Sequence, residues 1–167
     1  ALVTLTERLQ HPLPAGLLGG KFPVAPLFFL LAYSKTAGIV LDWFRERFAA
    51  GTSPADMDRE AQTSPLGADG LTMLPHFDGT VSPVPRQKTR GAFVGVKLSH
   101  TRADFYRATL EALAFSLREC LEHLKATGHS ADVIRSIGGG ARSNFWLQIK
   151  ADVAGVAVEK PRVTEAA

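Results

Sequence analysis

Residues 138–143 read Gly-Gly-Gly-Ala-Arg-Ser and separate two segments of opposite character. Before them, residues 133–137 are rich in β-branched side chains and predict a strand. After them, Asn144–Ala154 carries apolar residues at helical spacing and is followed by a glycine, which predicts a helix. A strand joined to a helix through a glycine turn is the building unit of a layered α/β domain.

The longest predicted helix covers residues 101–126. Apolar side chains recur there every three or four positions, as they do on the buried side of a helix. Thr101 and Asp104 have the spacing of a capping box, and Gly128 is placed to end the helix. Cys120 falls on the apolar stripe, so we expect it in the core and not as a nucleophile.

The remaining segments alternate between short strands, loops and two further helices. A helix is predicted at residues 36–48 with Ser34 as its cap, and a second at residues 54–62 as a surface insertion. Strands are predicted at Leu2–Thr6, within residues 22–33, and at residues 71–74, 92–96 and 156–158, with loops at residues 11–20 and 76–90.

Composition limits the class of protein. The chain has 167 residues, of which 46% are hydrophobic and 21% charged, and this is enough for one domain with a core. Its net charge of +3 is not gathered into basic runs, so we expect no nucleic-acid partner. The longest apolar run, residues 22–33, is too short and proline-rich to cross a membrane. A single cysteine excludes an internal disulfide and suits a cytoplasmic location.

The glycine turn admits two interpretations from its residues alone. Glycines carry no side chains that would keep a ligand away, and Ser143 can cap a helix whose first N–H groups attract phosphate. The other interpretation is a tight connection without a ligand. No P-loop pattern occurs in the sequence, and the dinucleotide pattern G-x-G-x-x-G fails because Ser143 stands at its third glycine. Both interpretations of the turn therefore stay open.

Other chemistry-bearing residues are scattered. The five histidines include no pair at metal-ligand spacing, so we expect no metal site built by the protein alone. His76 and Asp78 lie close together in the long loop, where they are candidates for contacting a ligand, although a solvated pair is more typical. No spacing indicates a catalytic set, so no catalytic residue is assigned.

Two stretches resemble a known family. Residues 91–115 are similar to the second signature of the FGGY carbohydrate kinases, and residues 138–158 are similar to the nucleotide-site stretch of the same family. Within the family, the xylulokinases are the most similar. The resemblance implies an actin-like ATPase fold of the ribonuclease H-like type, in which two α/β domains close over a cleft. An N-terminal domain binds the sugar and carries the aspartate base, and a C-terminal domain binds ATP with Mg²⁺.

The resemblance places residues 1–167 in the C-terminal ATP-binding domain. We expect this domain to be truncated at both ends, without the sugar-binding domain and without a final helix that should begin near Ala167. By motif, three residues of the turn lie against the adenosine and α-phosphate, the next helix reaches toward the adenine, and an earlier helix approaches the phosphates from the other wall. The residues so assigned are Gly139, Gly140, Ala141, Asn144, Gly38 and Asp42.

The implied activity is phosphorylation of a sugar or polyol by ATP, most readily of D-xylulose. Residues 79–83 read Gly-Thr-Val-Ser-Pro where many xylulokinases have Gly-Glu-Arg-Thr-Pro, so ribulose, gluconate and glycerol stay open as substrates. A non-catalytic nucleotide-binding module of the same fold is the alternative. Because the base is expected upstream, we expect this chain alone to be inactive. We expect no membrane partner, and formation of a homodimer stays open.

Overall fold

The computed structural model describes residues 1–162. The end of the predicted ATP-binding domain and the start of the predicted final helix lie outside the described residues. The described part is a mixed α/β structure in which one long helix contacts most other elements.

The first layer is a three-stranded antiparallel sheet. Its strands are β1 (Leu2–Thr6), β2 (Leu17–Lys21) and β3 (Phe28–Ala32), in the order β1-β3-β2. The central strand β3 is apolar throughout, as a strand with two partners and a buried face requires. The predictions for β1 and β3 are confirmed. The prediction of a loop through residue 20 is wrong, because pairing with β3 holds the glycine-rich β2 extended despite its poor strand propensity.

Two helices follow the sheet, α1 (Gly38–Phe48) and α2 (Pro54–Ala61). The predicted cap of α1 is wrong: the helix begins at Gly38 without any side-chain cap, and the hydroxyl of Ser34 donates to the carbonyl of Thr36 instead. The prediction that α2 is a surface insertion is also wrong. Met57 and Ala61 are almost completely buried, so α2 is part of the core.

A β-hairpin and the long helix come next. Strands β4 (Thr72–Leu74) and β5 (Ala92–Val94) pair antiparallel on either side of the predicted loop. The long helix α3 (Arg102–Ala126) begins with the predicted capping box, in which Thr101 and Asp104 satisfy each other's backbone N–H groups. Helix α3 packs against α1, α2, α4, β4 and the three-stranded sheet. The core therefore lies along this helix.

The last unit contains the glycine turn. Strand β6 (Val133–Arg135), helix α4 (Asn144–Ala154) and strand β7 (Ala157–Glu159) form a β-α-β unit with parallel strands. Ser143 caps α4 by accepting from the N–H of Trp146, as predicted. Gly155 follows the helix in the left-handed conformation that ends it. This unit confirms the layered α/β prediction made from residues 133–154.

Candidate functional site

A cavity of about 820 Å³ separates the three-stranded sheet from the β6-α4-β7 unit. Strand β1 forms one wall and residues 133–137 form the opposite wall, with the apolar side of α3 beneath them. Two of the predicted site residues, Gly38 and Gly140, line this cavity. Gly38 follows the end of β3 and Gly140 follows the end of β6. Carboxyl ends of strands are where open α/β sheets bind ligands.

The three glycines of the turn have three different environments. Gly138 has φ +76°, a conformation in which a side chain would be strained. A Cβ on Gly139 would meet no atom within 4 Å among the described residues. A Cβ on Gly140 would lie 2.5 Å from Cζ3 of Trp146. The turn therefore needs a glycine at Gly138 for its backbone conformation and at Gly140 for its packing against Trp146, whereas Gly139 has open space around it.

Part of the turn's hydrogen-bonding capacity is already used internally. Gly139–Ala141 forms a 3₁₀ turn in which the N–H of Ala141 donates to the carbonyl of Gly138, at 3.0 Å. The N–H of Arg142 likewise donates to Gly139, at 3.1 Å. Ala141 is completely buried, so its methyl group packs inward. Of the assigned turn residues, Gly139 is the one whose surface is exposed.

Gly38 begins α1 at a point with open space around it. A Cβ there would meet no atom within 4 Å among residues 1–162, and the helix start has no side-chain cap. The preceding segment is held in place because the Thr36 hydroxyl donates to the carbonyl of Pro75, at 2.5 Å. No packing contact of the described residues requires a glycine at this position. A glycine there leaves the first N–H groups of α1 accessible to an anion.

The other predicted site residues lie outside the cavity. Asp42 is exposed on α1, with a carboxylate oxygen 3.7 Å from the Arg45 guanidinium. Asn144 is exposed at the start of α4, and its side-chain oxygen accepts from the ammonium group of Lys160 at 3.4 Å. The structure therefore brings Gly38 and Gly140 to one cavity, while Gly139, Ala141, Asn144 and Asp42 do not line it.

Three further residues that line the cavity were not assigned to the site from the sequence. They are Ser136, Trp146 and Lys150. The ammonium group of Lys150 lies 3.8 Å from the ring centroid of Trp146 and donates to the hydroxyl of Ser136 at 3.3 Å. Burial lowers the pKa of Lys150 to about 8. The four-residue spacing of Trp146 and Lys150 on one helix was the available signal.

His76 and Asp78 of the long loop do not contribute to one common site. A carboxylate oxygen of Asp78 lies 3.8 Å from the ammonium group of Lys35. His76 lines a second cavity of about 280 Å³ together with Glu111 and Phe115. Its Nδ1 is buried and has no hydrogen-bond partner among residues 1–162. The two side chains thus have separate surroundings.

Within residues 1–162, no group of three or more His, Cys, Asp or Glu side chains is arranged to hold a metal ion. None of the helices in this part of the chain has both the length and the apolar content needed to cross a bilayer.

Comparison with known proteins gives a consistent result. Residues 2–167 match the model of the C-terminal domain of the FGGY family of carbohydrate kinases. A xylulose kinase of Staphylococcus epidermidis is 34% identical over 137 residues, which are 82% of this chain and 28% of that protein. A glycerol kinase of Solidesulfovibrio magneticus is 36% identical over 132 residues, which are 77% of this chain and 26% of that protein.

A solved structure extends the similarity to three dimensions. The crystal structure of a xylulose kinase from Rhodospirillum rubrum superimposes with a TM-score of 0.82 at 31% identity. The match covers 95% of this chain and 32% of that structure. The chain thus spans about a third or less of the length of the proteins it matches.

Proposed function

The chain belongs to the FGGY family of carbohydrate kinases, and from that membership we propose that it forms the ATP-binding side of a kinase that phosphorylates a sugar or polyol. The observation that carries the proposal is the family match, which covers residues 2–167. The actin-like fold of the similar kinases is shared by this chain. Such kinases divide substrate and nucleotide between two domains, and this chain corresponds to the second.

We propose that the nucleotide contacts the cavity rim formed by Gly38 and Gly140. Both residues follow carboxyl ends of strands, and both line one cavity although they are far apart in sequence. The uncapped start of α1 adds N–H groups and a partial positive charge, which favour a phosphate group. The exposed Gly139 is proposed to border the adenosine, with Ala141 and Asn144 beside it, and Asp42 is proposed to lie near the phosphates on the side of Gly38.

The magnesium ion that such a kinase uses is proposed to arrive with the nucleotide. Residues 1–162 have no cluster of three acidic or imidazole side chains for a cation. Mg²⁺ in phosphoryl-transfer sites is held mainly by substrate phosphates and water, with few protein ligands. The donor groups of this chain therefore fit a nucleotide better than a free ion.

The contribution of this chain to catalysis would be positional. Phosphoryl transfer requires little covalent chemistry from the protein and depends on alignment and charge neutralisation. Backbone N–H groups at the start of α1 would fix the phosphates, and the open surface at Gly139 would admit the nucleoside. The group that accepts the substrate proton is proposed to belong to the partner domain, so residues 1–167 alone should have no kinase activity.

D-xylulose is the proposed substrate, on the basis of the similar xylulose kinases. A glycerol kinase matches the chain at 36% identity, close to the 34% of the xylulose kinase. Nucleotide-binding residues are under similar constraints whichever acceptor is used, and the acceptor is selected in the other domain.

The test is a substrate screen with the complete gene product. ADP release with Mg-ATP would be measured over D-xylulose, ribulose, gluconate and glycerol, and we expect the highest kcat/KM with D-xylulose. Residues 1–167 alone serve as the control and should release no ADP above background. A higher kcat/KM with glycerol would reassign the substrate. Nucleotide binding without turnover of any acceptor would instead favour a regulatory nucleotide-binding module.

A further inference from the structure

Helix α2 contributes a carboxylate to the end of the glycine turn. Asp58 follows the almost completely buried Met57 on this helix and is itself partly buried. Its side chain forms a hydrogen bond with the side chain of Ser143, the residue that ends the turn. The two residues lie far apart in sequence, so this contact exists only in the folded chain.

The hydroxyl group of Ser143 is bonded on two sides. Its oxygen accepts from the backbone N–H of Trp146 at 2.9 Å and thereby caps α4. A hydroxyl group has one hydrogen to donate, and the carboxylate of Asp58 is an acceptor for it. With that hydrogen directed at Asp58, a lone pair of the hydroxyl oxygen stays available for the N–H of Trp146. Asp58 therefore fixes the rotation of the cap.

A charged side chain at this position has an energetic cost. Burial raises the pKa of Asp58, because the carboxylate loses hydration there, and the hydrogen bond with Ser143 opposes this rise. The amide of an asparagine would accept from the same hydroxyl without the loss of hydration of a charge. Carboxylates that are kept in such surroundings occur preferentially at functional sites.

Asp58 also faces the α1 side of the proposed nucleotide site. The ring of Tyr106 on α3 packs against the ring of Phe44 on α1, with 5.4 Å between the ring centroids. Burial raises the pKa of Tyr106, and the negative charges of Asp58 and Asp42 raise it further. These two carboxylates therefore approach the phenol group from α2 and from α1. Asp58 thus lies near residues of both segments to which the nucleotide site is assigned.

We propose that Asp58 is a positioning residue of the nucleotide site, which holds the hydroxyl group of Ser143 and thereby fixes the glycine turn relative to α2. The turn is also held from α4, because the ring of Trp146 packs closely against Gly140. Asp58 acts on the exposed surface at Gly139 through Ser143 and does not touch the nucleotide itself. The inference rests on the proposed function, since a nucleotide bound at the turn is what would respond to this restraint.

Mg-ATP binding and steady-state kinetics of the complete gene product test the proposal. Asp58→Ala should raise the dissociation constant and the KM of ATP about fivefold, the equivalent of one hydrogen bond, and leave the sugar KM unchanged. Asp58→Asn keeps an acceptor for the Ser143 hydroxyl, so both ATP constants should stay within about twofold of the parent. A loss of folded protein alone would lower kcat and change neither KM.

Asp56→Ala is the matched control on the same helix. Asp56 contacts Ser53 and Arg59 within α2, away from the glycine turn. Its replacement should therefore alter neither the ATP constants nor the sugar KM. An equal rise of the ATP KM in Asp56→Ala and Asp58→Ala would overturn the proposal, because the effect would then belong to α2 as a whole.

A double variant tests whether Asp58 acts through Ser143. Ser143→Ala removes the donor that Asp58 holds, so adding Asp58→Ala to it should change the ATP dissociation constant by less than about twofold. Two effects that multiply would overturn the action through Ser143, and so would an Asp58→Asn variant that behaves like Asp58→Ala.

The same measurements distinguish failure of this inference from failure of the proposed function. A parent that binds Mg-ATP, together with an Asp58→Ala variant of unchanged ATP dissociation constant, would overturn the inference and leave the proposed function intact. A parent that binds no Mg-ATP would overturn both.

Discussion

A Cβ atom on Gly140 would lie 2.5 Å from Cζ3 of Trp146. Real side chains do not approach so closely, so the glycine is needed to seat the indole ring at the end of the glycine turn. Trp146 belongs to the main core cluster, together with Tyr106, Leu113 and Ile149. The position of the turn and the packing of α4 against α3 are therefore linked through this one contact.

We predict that Gly140→Ala destabilises the protein by about 1–3 kcal/mol, because the methyl group overpacks the site of a buried tryptophan. Gly139→Ala is the matched control, since a Cβ there meets nothing within 4 Å in the described part of the chain. Its effect should stay within about 0.5 kcal/mol. Urea unfolding of both variants provides the measurement. Equal stabilities of the two variants would contradict the packing role of Gly140.

Substitution of Gly38 tests the nucleotide site without the loss of stability that is expected for Gly140→Ala. Alanine at the first position of α1 has open space and a better helix propensity, so Gly38→Ala should leave the free energy of unfolding unchanged or raise it slightly. If phosphate approaches the helix start, the methyl group should raise the ATP KM about fivefold, equivalent to about 1 kcal/mol, and leave the sugar KM unchanged.

The neighbouring Ile39 supplies the control for this experiment. Its side chain is 65% exposed and does not line the cavity, so Ile39→Ala should alter neither KM. Steady-state kinetics of the complete gene product with varied ATP and varied sugar would separate the two effects. An ATP KM that is the same in Gly38→Ala and the parent would remove Gly38 from the nucleotide site.

The sequence pattern predicted those helices and strands whose bounds are determined by their own residues. Helix α4 has the predicted bounds, its cap at Ser143 and its stop at Gly155, because local hydrogen bonds and glycine conformation determine these features. Strand β2 was missed because Gly19 and Gly20 have no strand propensity of their own, and pairing with Phe29 and Leu30 of β3 holds them extended. That pairing is a tertiary contact, which a local pattern does not contain.

The residues of the candidate site also divide into those that local features predict and those that only the tertiary structure brings together. The turn at residues 138–143 was found from its glycines and its cap, which are local features. The shared cavity of Gly38 and Gly140 was reached through a family resemblance, because the two lie far apart in sequence. Arg107 has a charged side chain within the sequence of α3 and is nonetheless buried. Its burial arises because helix α3 is covered on several sides, which the residue pattern of one helix does not contain.

Arg107 and Glu111 form a buried ion pair on α3. The guanidinium Nε donates to the Glu111 carboxylate at 2.7 Å, and their side chains are 7% and 14% exposed. The guanidinium also donates to the carbonyl of Ser64, and Glu111 accepts from the N–H of Gly67. The pair thereby fastens the connection between α2 and β4 to the long helix.

We predict that Glu111→Gln destabilises the protein by about 3 kcal/mol, because it leaves the buried guanidinium without its counter-ion. The double variant Arg107→Met/Glu111→Gln should lose less than the sum of the two single variants, since neither charge is then left alone. Chemical denaturation of the four proteins gives the coupling energy. Arg118→Met/Glu122→Gln, which removes an exposed pair, is the control and should change stability by less than about 1 kcal/mol. Additive single effects at residues 107 and 111 would disprove the coupling.

Lys150 makes the stability of the protein depend on pH. Its ammonium group is partly buried over the ring of Trp146, and no carboxylate lies within salt-bridge distance among residues 1–162. Burial lowers its pKa from 10.5 to about 8. Between these two values the unfolded chain binds more protons than the folded chain, so stability rises with pH. Below about pH 8 both forms are protonated and the burial penalty is fully present.

We therefore predict that Lys150→Met is more stable than the parent at pH 7, by about 1–2 kcal/mol, because the side chain keeps its contact with Trp146 and loses its buried charge. The difference should shrink as the pH rises from 8 to 10.5, where the parent's Lys150 becomes neutral. Thermal unfolding of both proteins at half-unit steps of pH measures this. Lys88→Met, at an exposed position, is the control and should follow the parent throughout. A constant difference between Lys150→Met and the parent across this range would rule out a titrating Lys150 as its cause.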